Sequence, residues 1–296
     1  MPLNVNAGGS WRTASKVHAK VAGAWVTAKE LWGYMSGGWR SAWKNEIRYI
    51  NTANRTGASI FELMGSPTQP NIYIFENQAT ISAGAGSYAL RTGVFPAGSV
   101  LKIVNKGYIV GKGGDGGANT GGAGGAGTNA LFIDQDCELD NGAGYVFGGG
   151  GGGGGYRAYY SGGPQNYDIR AGGGGGAGGN GGAGVASAKV GATGNAAIVQ
   201  SGGTGSTTAG GAGGICRSDA SYNGTTIYEQ VAGGNGGGPG TAGGQGNFTR
   251  VGGSGQMKDV KVPGAGGAAG AAIVKNGKTV TITAGNDTNR IRGAIV

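Results

Sequence analysis

The chain has 296 residues, of which 74 are Gly; 12% are charged, one is His, and the net charge is +9. Two Cys, one His and scattered carboxylates supply no zinc, di-iron or iron–sulfur ligand set and no disulfide scaffold. No apolar run reaches the roughly 20 residues of a membrane-spanning helix, and Met1-Pro2-Leu3-Asn4 leads into polar sequence without a secretory apolar segment.

Composition shifts along the chain predict four parts: 1–60, 61–110, 111–271 and 272–296. Residues 1–60 hold eight Lys/Arg against Glu30 and Glu46, and 59 of the Gly fall within 107–270.

The first part repeats on 14 residues. Gly9-Ser10-Trp11-Arg12-Thr13-Ala14, Gly23-Ala24-Trp25-Val26-Thr27-Ala28 and Gly37-Gly38-Trp39-Arg40-Ser41-Ala42 share G-x-W-x-[ST]-A. So short a unit suits a turn plus one strand or a short helix. Either the three Trp fill the core of a small domain, or three equivalent units surround a pseudo-threefold axis. In the second reading the part caps a trimer, each repeat meeting one subunit alike. Trp11, Trp25 and Trp39, with Arg12 and Arg40, would then face the trimer, being residue types enriched at interface centres. Basic charge with aromatics also suits nucleic acid. The charges are scattered and no nucleic-acid motif accompanies them, so no nucleic-acid partner is expected.

Residues 61–110 read as β. Asn71–Phe75 and Ser99–Val104 are rich in β-branched and aromatic residues and are bounded by turn signals such as Pro96-Ala97-Gly98 and Asn105-Lys106-Gly107. In the last part, Ala272–Lys275 and Lys278–Ile282 flank Asn276-Gly277, which predicts a two-residue hairpin. These C-terminal strands are expected to pair with the connector and close the glycine-rich body.

That body lacks the strict period and the Pro of collagen, the Ser of a flexible linker and the recurrent Asp of calcium-binding β-helices. Runs such as Gly121-Gly122-Ala123-Gly124-Gly125-Ala126 fit a three-residue turn with Gly on two edges of three. The reading is a bundle, or sandwich, of polyglycine-II helices bonded sideways through their backbones, with disorder as the competing reading. Gly148–Gly155, eight consecutive glycines, is the predicted centre, about 25 Å long. A turn at Ala118-Asn119-Thr120 sends the chain out along 111–117 and back along 121–127. A strand Leu131–Leu139 near the connector then precedes a second outward pass along 148–155. Residues 156–171 would thus lie at the far tip.

Three segments between the glycine runs have the Tyr, Ser, Gly, Asn and Arg composition of binding loops. They are Tyr156–Ala171 (Tyr156, Arg157, Tyr159, Tyr160, Tyr167, Arg170), Ile215–Ala232 (Arg217, Tyr222, Tyr228) and Asn247–Pro263 (Phe248, Arg250). Either these side chains recognise a partner or they pack along the bundle. Asp134, Asp136, Glu138 and Asp140 alternate, which in a strand puts all four on one face, either in solvent or around a hard cation. His18 is the single His, and no G-x-S-x-G turn occurs. No catalytic, metal or cofactor site is expected, and the chain is read as no enzyme.

Together, Ile109-Val110-Gly111-Lys112-Gly113-Gly114-Asp115-Gly116-Gly117, Glu138-Leu139-Asp140-Asn141-Gly142, the Gly148–Gly155 run and the alternation that follows resemble the receptor-binding adhesins at the tips of long tail fibres of T-even-like phages. Tyr34-Met35-Ser36 and the Trp repeats look like that family's attachment region. The resemblance implies a mostly β or irregular fold: an attachment domain, short strands and a layered polyglycine-II sandwich with variable tip loops. It implies two partners, a trimeric distal tail-fibre protein and a bacterial outer-membrane receptor protein, without membrane insertion. It places the protein in the virion, at the tip of the tail fibre, after assembly in the host cytoplasm. A structural tail protein with the glycine body as spacer or shaft is the alternative. An ice-binding polyglycine protein would want a flatter, more regular face.

Overall fold

The structure, a computed structural model, describes the backbone of residues 4–296 except 8–9, 14–17, 22–23, 28–29, 36–37, 45, 85, 161–166, 191–195, 223–224 and 253–258. Side chains outside the described set are those of 4–44 other than His18, and of 160, 167, 190, 196–197, 218–222, 225–228, 250–252 and 259–260. Those of Trp11, Arg12, Trp25, Trp39 and Arg40 are among them.

Three antiparallel strand pairs come first. β1 (Asn4–Ala7) pairs with β2 (Ser10–Thr13), β3 (His18–Val21) with β4 (Ala24–Thr27), and β5 (Glu30–Met35) with β6 (Gly38–Lys44). Each pair is joined by two residues, the second of them Gly. Each repeat's Trp stands second on its strand, opposite Asn6, Lys20 and Tyr34 in turn.

Residues from 46 onward wind into a three-faced parallel prism. The first coil is β7 (Glu46–Asn51), β8 (Arg55–Thr56) and β9 (Ala58–Ser59), followed by the short α1 (Ile60–Leu63). The second is β10 (Ile72–Asn77), β11 (Thr80–Ser82) and β12 (Tyr88–Arg91). The third is β13 (Val100–Asn105), β14 (Tyr108–Val110) and, after a glycine excursion over 111–128, β15 (Asn129–Phe132). The fourth begins with β16 (Cys137–Asp140) and β17 (Tyr145–Phe147). Period-two alternation turns Tyr73, Phe75, Leu101, Ile103 and Leu139 inward, where each is at most 1% exposed.

The inward alternation puts an asparagine at the end of β7, β10 and β13 and directly after β16. Asn51, Asn77, Asn105 and Asn141 are all buried and stack at one corner. Asn51 Nδ2 donates to Asn77 Oδ1 at 2.9 Å, Asn77 Nδ2 to Asn105 Oδ1 at 2.9 Å, and Asn105 Nδ2 to Asn141 Oδ1 at 2.8 Å. A buried amide needs such partners, and the ladder supplies them coil by coil.

On the outside of the first face, Glu76 is 3% exposed beneath Arg48 and Lys106. Hydrogen bonds from Lys106 and Gln78 lead the causes that lower its carboxyl from an ordinary 4.5 to about 2. The unfolded chain therefore takes up a proton at Glu76 before the folded chain does. Its contribution to stability is present above about pH 4.5 and is lost as pH falls to about 2. Acid titration of the unfolding midpoint is expected to show this loss, and Glu76→Gln to remove it.

After β17 the chain enters the glycine body. Gly148–Gly155 is buried along its whole length. Its hydrogen bonds repeat every three residues. Gly149, Gly152 and Gly155 donate to Thr128, Gly125 and Gly122; Gly150 and Gly153 to Ala177 and Gly174; Gly151 and Gly154 to Thr241 and Gly244. The run accepts from 111–117, 234–240 and 264–270 in the same period. Six segments thus surround one, at donor–acceptor distances of 2.7–3.0 Å. The 111–117 segment runs parallel to this centre and 122–128 antiparallel, as the out-and-back reading requires. A turn at 119–121 separates them, with Gly121 at φ +91°.

Eight strands follow in two antiparallel sheets: β18 (Tyr156–Tyr160), β19 (Tyr167–Ala171), β20 (Ala188–Val190), β21 (Ala196–Gln200), β22 (Ile215–Tyr222), β23 (Thr225–Ala232), β24 (Asn247–Gly252) and β25 (Asp259–Pro263). The orders are β20-β19-β18-β25 and β21-β22-β23-β24. The chain then returns to the prism. β26 (Ile273–Val274) lies beside β15, β27 (Val280–Ala284) beside β16 and β28 (Ile291–Arg292) beside β17, all parallel. Ile295 bridges to Ile273 and closes a fifth coil.

Four expectations are corrected. The C-terminal strands do not pair with the 61–110 connector; their partners β15, β16 and β17 lie within 129–147, the last strands laid down before the chain enters the distal part. Asn276-Gly277 makes a tight turn, at φ +51° and +72°, but no hairpin. β26 and β27 belong to different faces, because each finds a parallel partner already in place. Leu131–Leu139 is not one strand; a bend at 134–135 turns a prism corner. The four carboxylates therefore do not all share one face: Glu138 and Asp140 lie on the outer side of β16, while Asp134 belongs to the corner before it. Asp134 chelates Arg91, Asp136 accepts from the Thr279 N–H, Glu138 pairs with Lys102, and Asp140 accepts from the Gly142 N–H. No group of three or more metal-ligating side chains gathers among the described residues.

Candidate functional site

Each of the four segments that leave the glycine body is an antiparallel excursion. It starts at the end of one glycine run and returns to the start of another. The register puts the roots together: Tyr156 lies opposite Ala171 and Pro263, and Ile215 opposite Ala232 and Gln200. The far ends pair Tyr160 with Tyr167 and Tyr222 with Thr225. Strands β18, β20, β22 and β24 consequently end, at Tyr160, Val190, Tyr222 and Gly252, on the side away from the glycine body. The prism joins that body at its other end, through Gly111 and Gly148, whose N–H groups donate to Phe147 and Arg292 carbonyls.

A small core holds the two sheets together. Tyr156, Ala158, Ile169 and Ala171 from one meet Cys216 and Val231 from the other, with Phe248 against them. The Tyr156 and Phe248 rings stack at 6.3 Å, and Lys261 Nζ lies 4.1 Å from the Phe248 centroid. Tyr156, 4% exposed, is therefore core rather than the open contact expected of it, and Phe248 is partly buried beside it.

Alternation puts Arg157, Tyr159, Asp168 and Arg170 on the outer face of the first sheet. Asp168 accepts from Arg157 at 2.8 Å and from Arg170, one carboxylate joining two guanidiniums. Burial raises its pKa, but hydrogen bonds from Arg170 and Arg157 outweigh this and hold the carboxyl below its usual range. The Arg157 guanidinium sits 4.6 Å over the Tyr159 ring. The cluster carries one net positive charge on a braced surface. Arg217 stands opposite Gln230 on β22. Tyr160, Tyr167, Tyr222, Tyr228 and Arg250 occupy strand positions, and their side chains lie outside the described residues.

The excursion through β20 and β21 was not singled out in the sequence. Ala, Val and Gly dominate it, and it has none of the aromatic residues that flag the others. Its one signal is Ile198-Val199, which are 42% and 49% exposed on an edge strand. Both cysteines are free and buried, one in the prism and one between the distal sheets. Burial pushes the Cys137 thiol to about 12 and the Cys216 thiol upward. Neither has the exposed, lowered-pKa character of a reactive thiol.

No curated protein matches the chain. Among solved structures it is similar to a chain of the gp37-gp38 adhesin tip complex of the bacteriophage S16 long tail fibre. Identity is 20% and the TM-score 0.47, over 86% of this chain and 83% of that one. The family model described as phage tail fibre adhesin Gp38 matches residues 43–296, from within β6 through the prism, the glycine body and both distal sheets. That span is most of the sequence, and the chain belongs to the phage tail fibre adhesin Gp38 family.

Proposed function

We propose that this adhesin caps the distal end of a trimeric tail fibre and binds a protein in the host outer membrane, mediating adsorption. The observation carrying this reading is that the two distal sheets, β18 to β25, root in the glycine body at the end remote from the prism. Residues 1–60, with three strand pairs in one register and the first prism coil, form the attachment part. Trp11, Trp25 and Trp39, with Arg12 and Arg40, meet the three fibre subunits in equivalent ways. Residues 61–110 carry the middle coils, and 272–296 close the prism.

The glycine runs within 111–271, between the prism strands β15 to β17 and the distal strands, form a polyglycine-II bundle; their three-residue hydrogen-bond period and six-neighbour packing support this. Arg157, Tyr159, Tyr160, Tyr167, Arg170, Arg217, Tyr222, Tyr228 and Arg250 are the proposed receptor contacts, joined by Ile198 and Val199. The activity is binding rather than catalysis, in the virion, at the fibre tip, after assembly in the host cytoplasm.

The test is Tyr159→Ala with Tyr160→Ala. An anchoring aromatic contributes about 2 kcal/mol, or about 30-fold in affinity. Adsorption to host cells is expected to fall by at least that factor, while capture of the fibre partner is unchanged. Normal adsorption by the double variant would remove the first excursion from the contact surface. Tyr156 is unsuitable for this test, since its loss opens the core between the sheets.

A further inference from the structure

Two outer faces of the prism carry the same arrangement with one difference. On the third face, the Arg91 guanidinium lies 5.5 and 5.9 Å from the ring centroids of Tyr88 and Phe132. Its fork is filled by Asp134, which accepts from Nε and Nη2. On the second face, Tyr108 and Tyr145 are neighbours across β14 and β17, with rings stacked at 4.9 Å. Arg290 lies 5.7 Å from the Tyr145 centroid, and Arg292 lies 5.0 Å from that of Phe147. Phe147 and Arg292 are register partners. The two cation–aromatic units are thus two residues apart on one side of the sheet.

The difference is the counter-ion. Arg290 has Asp287 only at 3.9 Å, and its Nη1 donates weakly to the Gly144 carbonyl. No carboxylate among the described residues pairs with Arg292. Covering Phe147 requires only an aliphatic stem, yet it is the guanidinium carbon that lies over the ring. Stacked guanidiniums are held in plane and offer their N–H edges to carboxylate or phosphate. Tyr108, at 37% exposure, adds a ring one strand further on, stacked on the far side of Tyr145. Cations alone would suit any anion. Cations beside an exposed aromatic suit an anion carried on a sugar ring.

We propose that the second face of the prism binds an anionic sugar, phosphorylated or uronic, with Arg290 and Arg292 holding the anion and Tyr108 contacting the ring. The site flanks the root of the glycine body and shares no residue with the distal contacts, so it stands or falls independently of them.

Calorimetric titration of the full chain tests this, with glucose 6-phosphate, glucuronic acid, glucose and inorganic phosphate as separate ligands. Saturable binding is expected for the two acidic sugars and not for glucose, with inorganic phosphate at least about tenfold weaker than the sugar phosphate. Arg290→Gln with Arg292→Gln should weaken binding by about tenfold or more, since two charge-assisted hydrogen-bond donors are lost. Lys275→Gln with Lys278→Gln removes the same charge elsewhere and should change nothing. If the arginine variant melts early, Arg290→Lys with Arg292→Lys keeps the charge and loses the fork, and should also bind weakly. Absence of saturable binding, equal affinity for phosphate and sugar phosphate, equal loss in both charge-matched variants, or native affinity in the lysine variant would each overturn the assignment.

Discussion

Gly152→Ala is expected to destabilise the protein by about 3 kcal/mol or more, the upper end of overpacking costs. A Cβ there would overlap the Asp115 carbonyl oxygen and lie 2.5 Å from its carbon and 2.9 Å from the Gly114 oxygen. These are backbone atoms and cannot swing aside as a side chain would. Retreat is blocked as well. Gly152 donates to Gly125 at 2.8 Å and accepts from Gly267 at 2.7 Å, so a shift to one side strains bonds on another. For a chain of this size the melting temperature should fall by about 6–12 °C. Gly238→Ala is the control. Its nearest contact would be Thr241 Oγ1 at 3.6 Å, and its φ is not in the left-handed region. Stability there should stay within about 1 kcal/mol and can rise, because Ala restricts the unfolded chain. Thermal unfolding of the two variants side by side decides the matter. Equal, small shifts would mean that the central run is not a packed element.

Asn105→Ala is expected to cost about 3–5 kcal/mol, from several buried polar groups orphaned at about 1–3 kcal/mol each and not fully additive. Asn105 Nδ2 donates to Asn141 Oδ1 and to the Tyr145 carbonyl at 3.1 Å; its Oδ1 accepts from Asn77 and from the Gly107 N–H at 3.3 Å. Ala satisfies none of these, and the corner is closed to solvent. Asn51, at the end of the ladder, has fewer dependants: Asn77 on one side and the Nε of half-buried Arg55 on the other. Asn51→Ala should therefore cost about 1–2 kcal/mol. Denaturant midpoints that fail to separate the two variants would show that the ladder is not a cooperative element.

The glycine centre was legible because eight consecutive glycines leave no edge bearing a Cβ, whereas G-G-x runs leave one. Composition permits lateral contact on all sides, and the hydrogen bonds of the structure show it. The first three passes were legible from one turn and strand parity. The prism was not. Its strands are two to six residues long and pair with partners in the next coil rather than with chain neighbours, so no local pattern reveals the face. Asn276-Gly277 shows the limit: its backbone angles were readable, but its partners were decided by strands more than a hundred residues earlier. The asparagine corner did leave a trace in Ile72–Asn77 and Val100–Asn105, two inward-alternating runs that both end in Asn. At the distal end, aromatic content marked three excursions and passed over the Ala-rich fourth. It also drew attention to Tyr156, whose ring proved to be interior.

The return of residues 272–296 to the prism bears on how the molecule is made. The coils before Gly111 can stack as they leave the ribosome, N-terminal end first. The fourth coil gains its third side, and the fifth exists at all, only when residues 272–296 have been translated. Until then the whole glycine body hangs from an unfinished scaffold as one large loop. Lengthening such a loop adds little to its closure cost, about 0.6 kcal/mol per doubling, but its non-local contacts make for slow closure. A prematurely terminated chain would expose the core side chains Leu131 and Leu139 along an unpaired strand edge. Synthesis of residues 272–296 is in this way written into the fold as a condition for hiding its stickiest surface.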